Sequence, residues 1–265
     1  MDLMIYGLER SGTNFTEAVM LENFQNIQFW NEHYPDALPT HKHFRLYDEK
    51  HFIPITQFLN NFHFPDFQSF DKKVNELTRQ ADLKYVIAVK DPYAWYQSFM
   101  KLATKGNYIP VRSKIANGQF MLDWNLFHKK WLQFADEAPE RIQITRYEDM
   151  INNTDESLNL IQSKFDLEAK SANWHLPEKV GMSKSFNAKR MLYYKKGSFK
   201  DKFPATHMRV ISEMLDTEVL TSLGYEKIDT EPTYDFQTNY IPTRWAIAQN
   251  PADSFTLWKT RLRFV

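Results

Sequence analysis

The sequence contains no cysteine. That excludes a disulfide framework, thiolate metal sites and a cysteine nucleophile, and it fits a reducing compartment. It also lacks an excess of either charge, since 33 Lys and Arg balance 33 Asp and Glu. The molecule as a whole has no basic surplus to favour nucleic acid, so any anion site must come from local clustering. There is no run of about 18 apolar residues, so no membrane span is expected. The opening "MDLMIYGLERSG" has no basic region and no long apolar stretch. No secretory leader is expected from it, and the expected location is cytoplasmic. "NNT" at Asn152 matches a glycosylation sequon, which in a chain without a secretion signal reads as chance. Internal repeats and low-complexity linkers are absent as well.

What is present fits a folded globular protein: 265 residues, 43% apolar and 25% charged. The length suits one α/β domain with a real core, or two small ones. Aromatics are abundant, with 21 Phe, 13 Tyr and 7 Trp. Most fill the core; Phe29, Trp30, Tyr34 and Trp95 are candidates to line a pocket for a ring.

Strands and helices alternate along the chain. Residues 2–7 read as a short apolar strand, and residues 11–21 as a helix. A loop-rich aromatic segment follows, with a short strand expected near residues 40–44. Residues 67–80 look helical. The continuous apolar run at 85–89 marks a buried parallel strand. Pro92 suits the first turn of the helix after it. Residues 120–136 place Trp124, Phe127, Trp131 and Phe134 at spacings of three and four, an amphipathic helix. Residues 142–145 form another strand leading into a loop, and Thr154 is placed to cap the next helix, with Asp155 and Glu156 in its first turn. A last amphipathic helix is expected over 205–222, ended by Gly224. Such alternation argues for a parallel sheet covered on both faces. Residues 1–225 are read as one domain and residues 226–265 as an extension packed on it.

Three stretches carry chemistry. The first is "IYGLERSGTNFTEAV", residues 5–19. It is a strand end, a turn bounded by two glycines, then a helix. Unpaired N–H groups and the positive dipole end make such a turn suited to a phosphate or sulfate. The plainer reading, a surface Arg10 and an N-capping Ser11, stays open at this point. Gly7 and Gly12 keep the glycine spacing of a nucleoside-triphosphate loop, but Thr13-Asn14 stand where Lys-Ser/Thr is needed. That weighs against a kinase or ATPase. The glycine triplet of a dinucleotide fold is also missing.

The second stretch is "VIAVKDPYAWYQSF", with Lys90 at a strand end and Ser98 eight residues on. Ligands of parallel α/β sheets bind at the carboxyl ends of strands, so Lys90 can share a crevice with Arg10. The third, residues 184–202, holds seven basic residues and one acid. Gly197 follows Lys195-Lys196 and permits close backbone approach to an anion. A solvated charged face is the plainer reading of such a run.

Taken together and in this order, these stretches resemble the sulfotransferases that use 3′-phosphoadenosine 5′-phosphosulfate (PAPS). "RSGTN", from Arg10 through Ser11, Gly12, Thr13 and Asn14, is similar to the family's loop for the 5′-phosphosulfate. Lys90 and Ser98 keep the spacing of its 3′-phosphate site, with Lys in place of Arg. "RYEDM" resembles the strand end whose tyrosine, here Tyr147, lies near the adenine. "KKG", Lys195, Lys196 and Gly197, resembles the loop that closes over the 3′-phosphate. "SLGY" at residues 222–225 looks like the closing helix. The resemblance spans residues 3–225. It implies a three-layer α/β/α fold with a central parallel sheet, the P-loop-like sulfotransferase fold. PAPS would be the co-substrate, Phe15 would flank the adenine, and no metal would be required.

The chain departs from the family in two places. "SFKDKF" replaces the usual Gly-Asp-Trp-Lys continuation of the late loop, and lysines replace both arginines of the 3′-phosphate site. Lysine is a point charge without the bidentate fork, which implies looser binding.

The acceptor side would be served by "PTHKHF". The family's "KH" pattern favours His43 as the base, with Lys42 supporting charge on the sulfuryl group and His41 as the alternative. On a strand, His41 and His43 would share one face. His-x-His without an evident third ligand predicts no metal site. The expected acceptor is a carbohydrate or other small alcohol. Two other classes remain: a P-loop nucleotide kinase, and a non-catalytic nucleotide- or glycan-binding protein on the same scaffold.

Overall fold

The computed structural model describes residues 1–31, 38–46, 64–105, 119–180, 184–185 and 205–228. The chain clusters into two compact units. One comprises Met1–Phe52, Gln57–Asp91 and Phe127–Ser198; the other comprises Ile53–Thr56, Pro92–Leu126 and Phe199–Val265.

The first unit is built on a parallel sheet of four strands, which bears out the α/β expectation. They are β1 (Asp2–Tyr6), β2 (Gln28–Phe29), β3 (Lys84–Val89) and β4 (Ile142–Arg146), in the order β2-β1-β3-β4. Tyr6 pairs with Ile87, and Val89 with Arg146, so the carboxyl ends of β1, β3 and β4 lie side by side. The near-continuous apolar runs of β1 and β3 are what a strand covered on both faces requires. Alternation sends Leu3, Ile5 and Val86 to one side. There they pack with Phe15, Val19 and Met20 of helix α1 (Thr13–Asn23). Tyr6 and Tyr85 go to the other side, against helix α2 (Phe67–Thr78) and the later part of α4 (Gln119–Glu137). The Tyr6 and Trp131 ring centroids are 4.9 Å apart, and Phe70 meets Trp131 edge-on. Trp124, Phe127, Trp131 and Phe134 are all fully buried, as their spacing predicts.

Local expectations are corrected in three stretches of the chain. The short strand near residues 40–44 is a pair of turns instead. His41 N–H bonds the Leu38 carbonyl, and Phe44 N–H bonds the His41 carbonyl. The strand beside β1 is β2, earlier in the chain. Second, "RYEDM" leads into helix α5 (Tyr147–Asn152) rather than a loop. Thr154 opens helix α6 (Thr154–Phe165) but does not cap it, because its hydroxyl donates back to the Met150 carbonyl. Third, the single helix expected over 205–222 is two, α7 (Ala205–Met214) and α8 (Thr217–Ser222). Asp216 breaks it by capping the N–H groups of Glu218 and Val219, a bond an aspartate makes better than it continues a helix. A two-stranded antiparallel pair, β5 (Lys179–Val180) and β6 (Lys184–Ser185), completes the described strands.

In the second unit, helix α3 (Pro92–Lys105) carries Tyr93, whose hydroxyl pairs with Ser212 at 2.7 Å and accepts from Ile228 N–H at 2.9 Å. Trp95 is fully buried and stacks on Phe99, so it is a core ring rather than a floor for an acceptor.

Asn23, at the end of α1, ties down the segment after α6. Its side chain donates to the Val19 and His175 carbonyls and accepts from His175 N–H, each at 2.7 Å. Truncating a buried amide leaves its backbone partners unsatisfied. Asn23→Ala is expected to cost about 3 kcal/mol in urea unfolding, without loss of the strand spectrum.

Candidate active site

The site lies at the carboxyl ends of β1, β3 and β4. Residues 7–12 turn back on themselves, with Ser11 N–H bonded to the Leu8 carbonyl at 3.0 Å. The chain then enters α1 through Gly12, at φ 105°, in the left-handed region. Arg10 also has positive φ, 73°, and its side chain is exposed. A non-glycine residue held there costs about 1–3 kcal/mol, and such strain gathers at functional turns. The Gly12 carbonyl accepts from both Phe15 and Thr16 N–H. Among the described residues no acceptor is found for the N–H groups of Gly12, Thr13 and Asn14. Ser11 is 1% exposed, and its hydroxyl has no hydrogen-bond partner among the described residues. Donors gathered at the positive end of a helix dipole are what an oxyanion needs.

Both glycines are dictated by close packing. A Cβ on Gly7 would meet the Ala88 carbonyl at 2.7 Å and Thr13 Cγ2 at 2.8 Å. A Cβ on Gly12 would overlap the Tyr147 ring, with Cε2 at 3.1 Å. Tyr147 therefore props the turn from below. Phe15 meets the same ring edge-on at 5.3 Å, and Lys90 places its ammonium 4.7 Å from the ring centroid. Lys90 is only 3% exposed, so its charge is held against an aromatic face rather than in water. The first turn, the strand-end lysine and the "YED" tyrosine are thus one cluster. Phe15 and Tyr147 themselves belong to the core beneath it.

Residues 41–45 pack on the same turn. Gly7 N–H donates to the Lys42 carbonyl at 3.0 Å. Lys42 Nζ reaches Asn14 Oδ1, at 2.5 Å, on the tip of α1. His43 Nδ1 lies 2.7 Å from the Gly7 carbonyl. A carbonyl can only accept, so Nδ1 carries the hydrogen and Nε2 presents its lone pair. His41 takes the opposite tautomer: its Nδ1 accepts from His43 N–H at 3.3 Å, so Nε2 is the protonated nitrogen. The two rings meet edge-on at 5.4 Å. A turn rather than a strand brings them together. Burial pushes His43 down to about 4, against the opposing pull of Glu9 and the Gly7 carbonyl. His43 is neutral across the neutral range.

Ser98 lies half-buried on α3, in the second unit. Lys195, Lys196 and Gly197 lie outside the described residues. Tyr34 does as well. Trp30 uses its indole N–H on Asp2 Oδ1 at 2.8 Å.

The sulfotransferase domain family matches residues 1–216. The chain belongs to the sulfotransferase family. No curated protein matches it. The matched span of this sulfotransferase runs from β1 to Asp216, so it includes every site residue named above and reaches into both units. No group of three His, Cys, Asp or Glu able to hold a metal is found among its described residues. Of these, no helix is long and apolar enough to cross a membrane.

Sequence reasoning missed two members of the site, Glu9 and Arg45. The Arg45 guanidinium donates to Glu9 Oε1 at 2.7 Å through Nη1, and Nη2 pairs with Oε2. Nη1 also bonds the His43 carbonyl at 2.7 Å. The only signal was that each charge flanks a motif, Glu9 before "RSGTN" and Arg45 after "HKHF". Pairing them needs the fold.

Proposed function

We propose that this sulfotransferase moves a sulfuryl group from PAPS to an acceptor hydroxyl, on a carbohydrate or other small alcohol. Transfer is in line. The acceptor oxygen forms a bond to sulfur as the bond from sulfur to the 5′-phosphate oxygen breaks. The acceptor proton passes to His43 Nε2, and 3′,5′-adenosine bisphosphate leaves. Positioning and charge stabilisation dominate such displacements, as in phosphoryl transfer.

The observation that carries the reading is the run of unaccepted N–H groups at Gly12, Thr13 and Asn14, beside Lys42 and the neutral His43. Those amides and the hydroxyl of Ser11 bind the 5′-phosphosulfate, with Arg10 and Lys42 offsetting its charge. Lys90 takes the 3′-phosphate, and the family resemblance implies Ser98, Lys195, Lys196 and Gly197 as its further ligands. Phe15 and Tyr147 support the adenine side. No metal is needed where a helix tip and cationic side chains carry the charge.

The test is release of 3′,5′-adenosine bisphosphate from PAPS with a panel of sugars and small alcohols. Turnover with one of them is the expected result. Greater heat stabilisation by ATP with Mg²⁺ than by the bisphosphate overturns the reading in favour of a kinase. Tight bisphosphate binding with no turnover on any acceptor indicates a binding protein on this scaffold. Lys90→Met is expected to weaken the bisphosphate about tenfold to hundredfold by calorimetry, the weight of one charge-assisted contact. A change under about twofold removes Lys90 from the site.

A further inference from the structure

The Glu9–Arg45 ion pair has no part in the chemistry proposed above, yet it sits between the two halves of the site. We propose that Glu9 and Arg45 are a positioning pair: they lock the anion-binding turn to the segment carrying His43, and Glu9 supplies the negative charge that steadies His43 as it takes up a proton. This rests on the reading of His43 as the base.

The geometry is specific. Glu9 precedes Arg10 in the turn, while Arg45 lies two residues after His43. One guanidinium edge grips both Glu9 oxygens, and Nη1 also holds the His43 carbonyl. His43 in turn donates to the Gly7 carbonyl, two residues before Glu9. A closed ring of contacts thus joins residues 7–9 to residues 43–45. The side chains are 33% and 11% exposed, so a partly desolvated fork replaces a loose surface pair. Burial raises the Glu9 carboxyl, but Arg45, then His43, outweigh it and hold it at about 2. Glu9 is therefore ionised across the neutral range.

A buried imidazole takes a proton readily only when an anion compensates. The charged and titratable groups bearing on the His43 ring are Glu9 and Arg45, which act in opposite senses, and His41, which acts with Arg45. Lys42 is its neighbour in sequence and directs its ammonium to Asn14. Glu9 is the one anion among them. Removing either half of the pair must then move His43 in opposite directions, whereas merely loosening the packing moves it the same way in both.

The experiment follows the His43 ring by ¹⁵N NMR titration in the full chain, with kcat and bisphosphate affinity measured in parallel. Glu9→Gln removes the anion and keeps the Arg45 charge, so the midpoint is expected to fall below that of the wild type. Arg45→Met removes the opposing cation and keeps the Glu9 charge, so the midpoint is expected to rise by about one unit. Both variants are expected to lose about tenfold in kcat or more through misplacement, with bisphosphate affinity changed far less. Arg45→Lys keeps the charge without the fork. Its midpoint should stay near that of the wild type while kcat falls about threefold to tenfold. Movement of both midpoints toward the ordinary value of about 6.5 indicates loosened packing only, and overturns the proposal. Should Glu9→Gln and Arg45→Met fail to fold, Arg45→Lys decides, and an unchanged kcat sinks the idea. Wild-type protein that binds no bisphosphate defeats the functional reading instead, and leaves the titration result to stand or fall by itself.

Discussion

Replacing His43 with glutamine is expected to lower kcat by about a hundredfold to ten-thousandfold, the usual worth of a positioned general base. Bisphosphate affinity should stay within about twofold, because the proposed role of His43 is on the acceptor side. The reasoning rests on the tautomer. The Gly7 carbonyl obliges Nδ1 to carry the hydrogen, so Nε2 is ready to accept one. His41 has its lone pair engaged by His43 N–H, and its other nitrogen can only donate. His41→Gln is therefore expected to cost much less, about tenfold at most, with kcat as the readout. A larger loss for His41 than for His43 reverses the assignment.

His43 also makes a pH prediction. Its folded value of about 4 lies below the ordinary 6.5, chiefly through burial. The unfolded chain therefore binds a proton between those values that the folded chain does not. Stability contributed by this group is full above pH 6.5 and is lost as pH falls toward 4. For a half-buried ring the loss is about 2 kcal/mol at most. Denaturant curves at several pH values check it, because His43→Gln should flatten that slope. In kcat/KM, which reports the free enzyme, the acid limb is expected near the folded value and not near 6.5.

Gly12→Ala is the change expected to damage both fold and binding most. At φ 105° an L-residue is strained, and the new Cβ falls on Tyr147. Strain and overlap together are expected to cost about 2–4 kcal/mol. The ring cannot swing aside easily, since Phe15 meets it edge-on and it belongs to the core behind the turn. The turn must move instead, carrying the N–H groups of Thr13 and Asn14 with it. Bisphosphate affinity is expected to fall about a hundredfold or more, measured by calorimetry. A double variant, Gly12→Ala with Tyr147→Leu, tests the cause: it should recover part of the stability by removing the overlap but not the backbone strain. Equal stability of Gly12→Ala and wild type contradicts this account.

The departures from the family pattern take on physical form here. Lys90 stands where the resemblance implies an arginine, and its ammonium lies over the Tyr147 ring within the core edge. A compact ammonium serves there as a point charge, without a planar fork to place. The family assignment, with Thr13-Asn14 in place of Lys-Ser/Thr, also favours sulfuryl transfer over phosphoryl transfer from ATP.

Much was legible before any coordinates. The apolar stretch at residues 2–7 read as a strand, the continuous apolar run at 85–89 as a buried parallel one, and the aromatic spacing on α4 as the face of a helix turned to a core. "RSGTN" at a strand-to-helix junction, Lys90 at a strand end and the tyrosine of "RYEDM" are the stretches that the fold brings into one cluster. These signals are local, because strand and helix periodicities and helix ends depend on neighbours a few residues apart. Where a local signal competed with another, the reading went astray. Asp216 preferred to cap rather than continue a helix, and residues 40–44 preferred turns to a strand.

Tertiary structure alone decided what crosses the chain. Tyr147 fills the space beneath Gly12, the Gly7 carbonyl selects the His43 tautomer, and Arg45 finds Glu9, 36 residues away. None of these leaves a periodic trace, because a contact between distant segments depends on how the sheet aligns its strand ends and not on spacing within either segment. The sequence by itself determined the layers and marked the strand ends where the candidate site lies. The fold determined which imidazole nitrogen is free to take a proton, since a hydrogen bond's direction is set by the partner that packing brings to it.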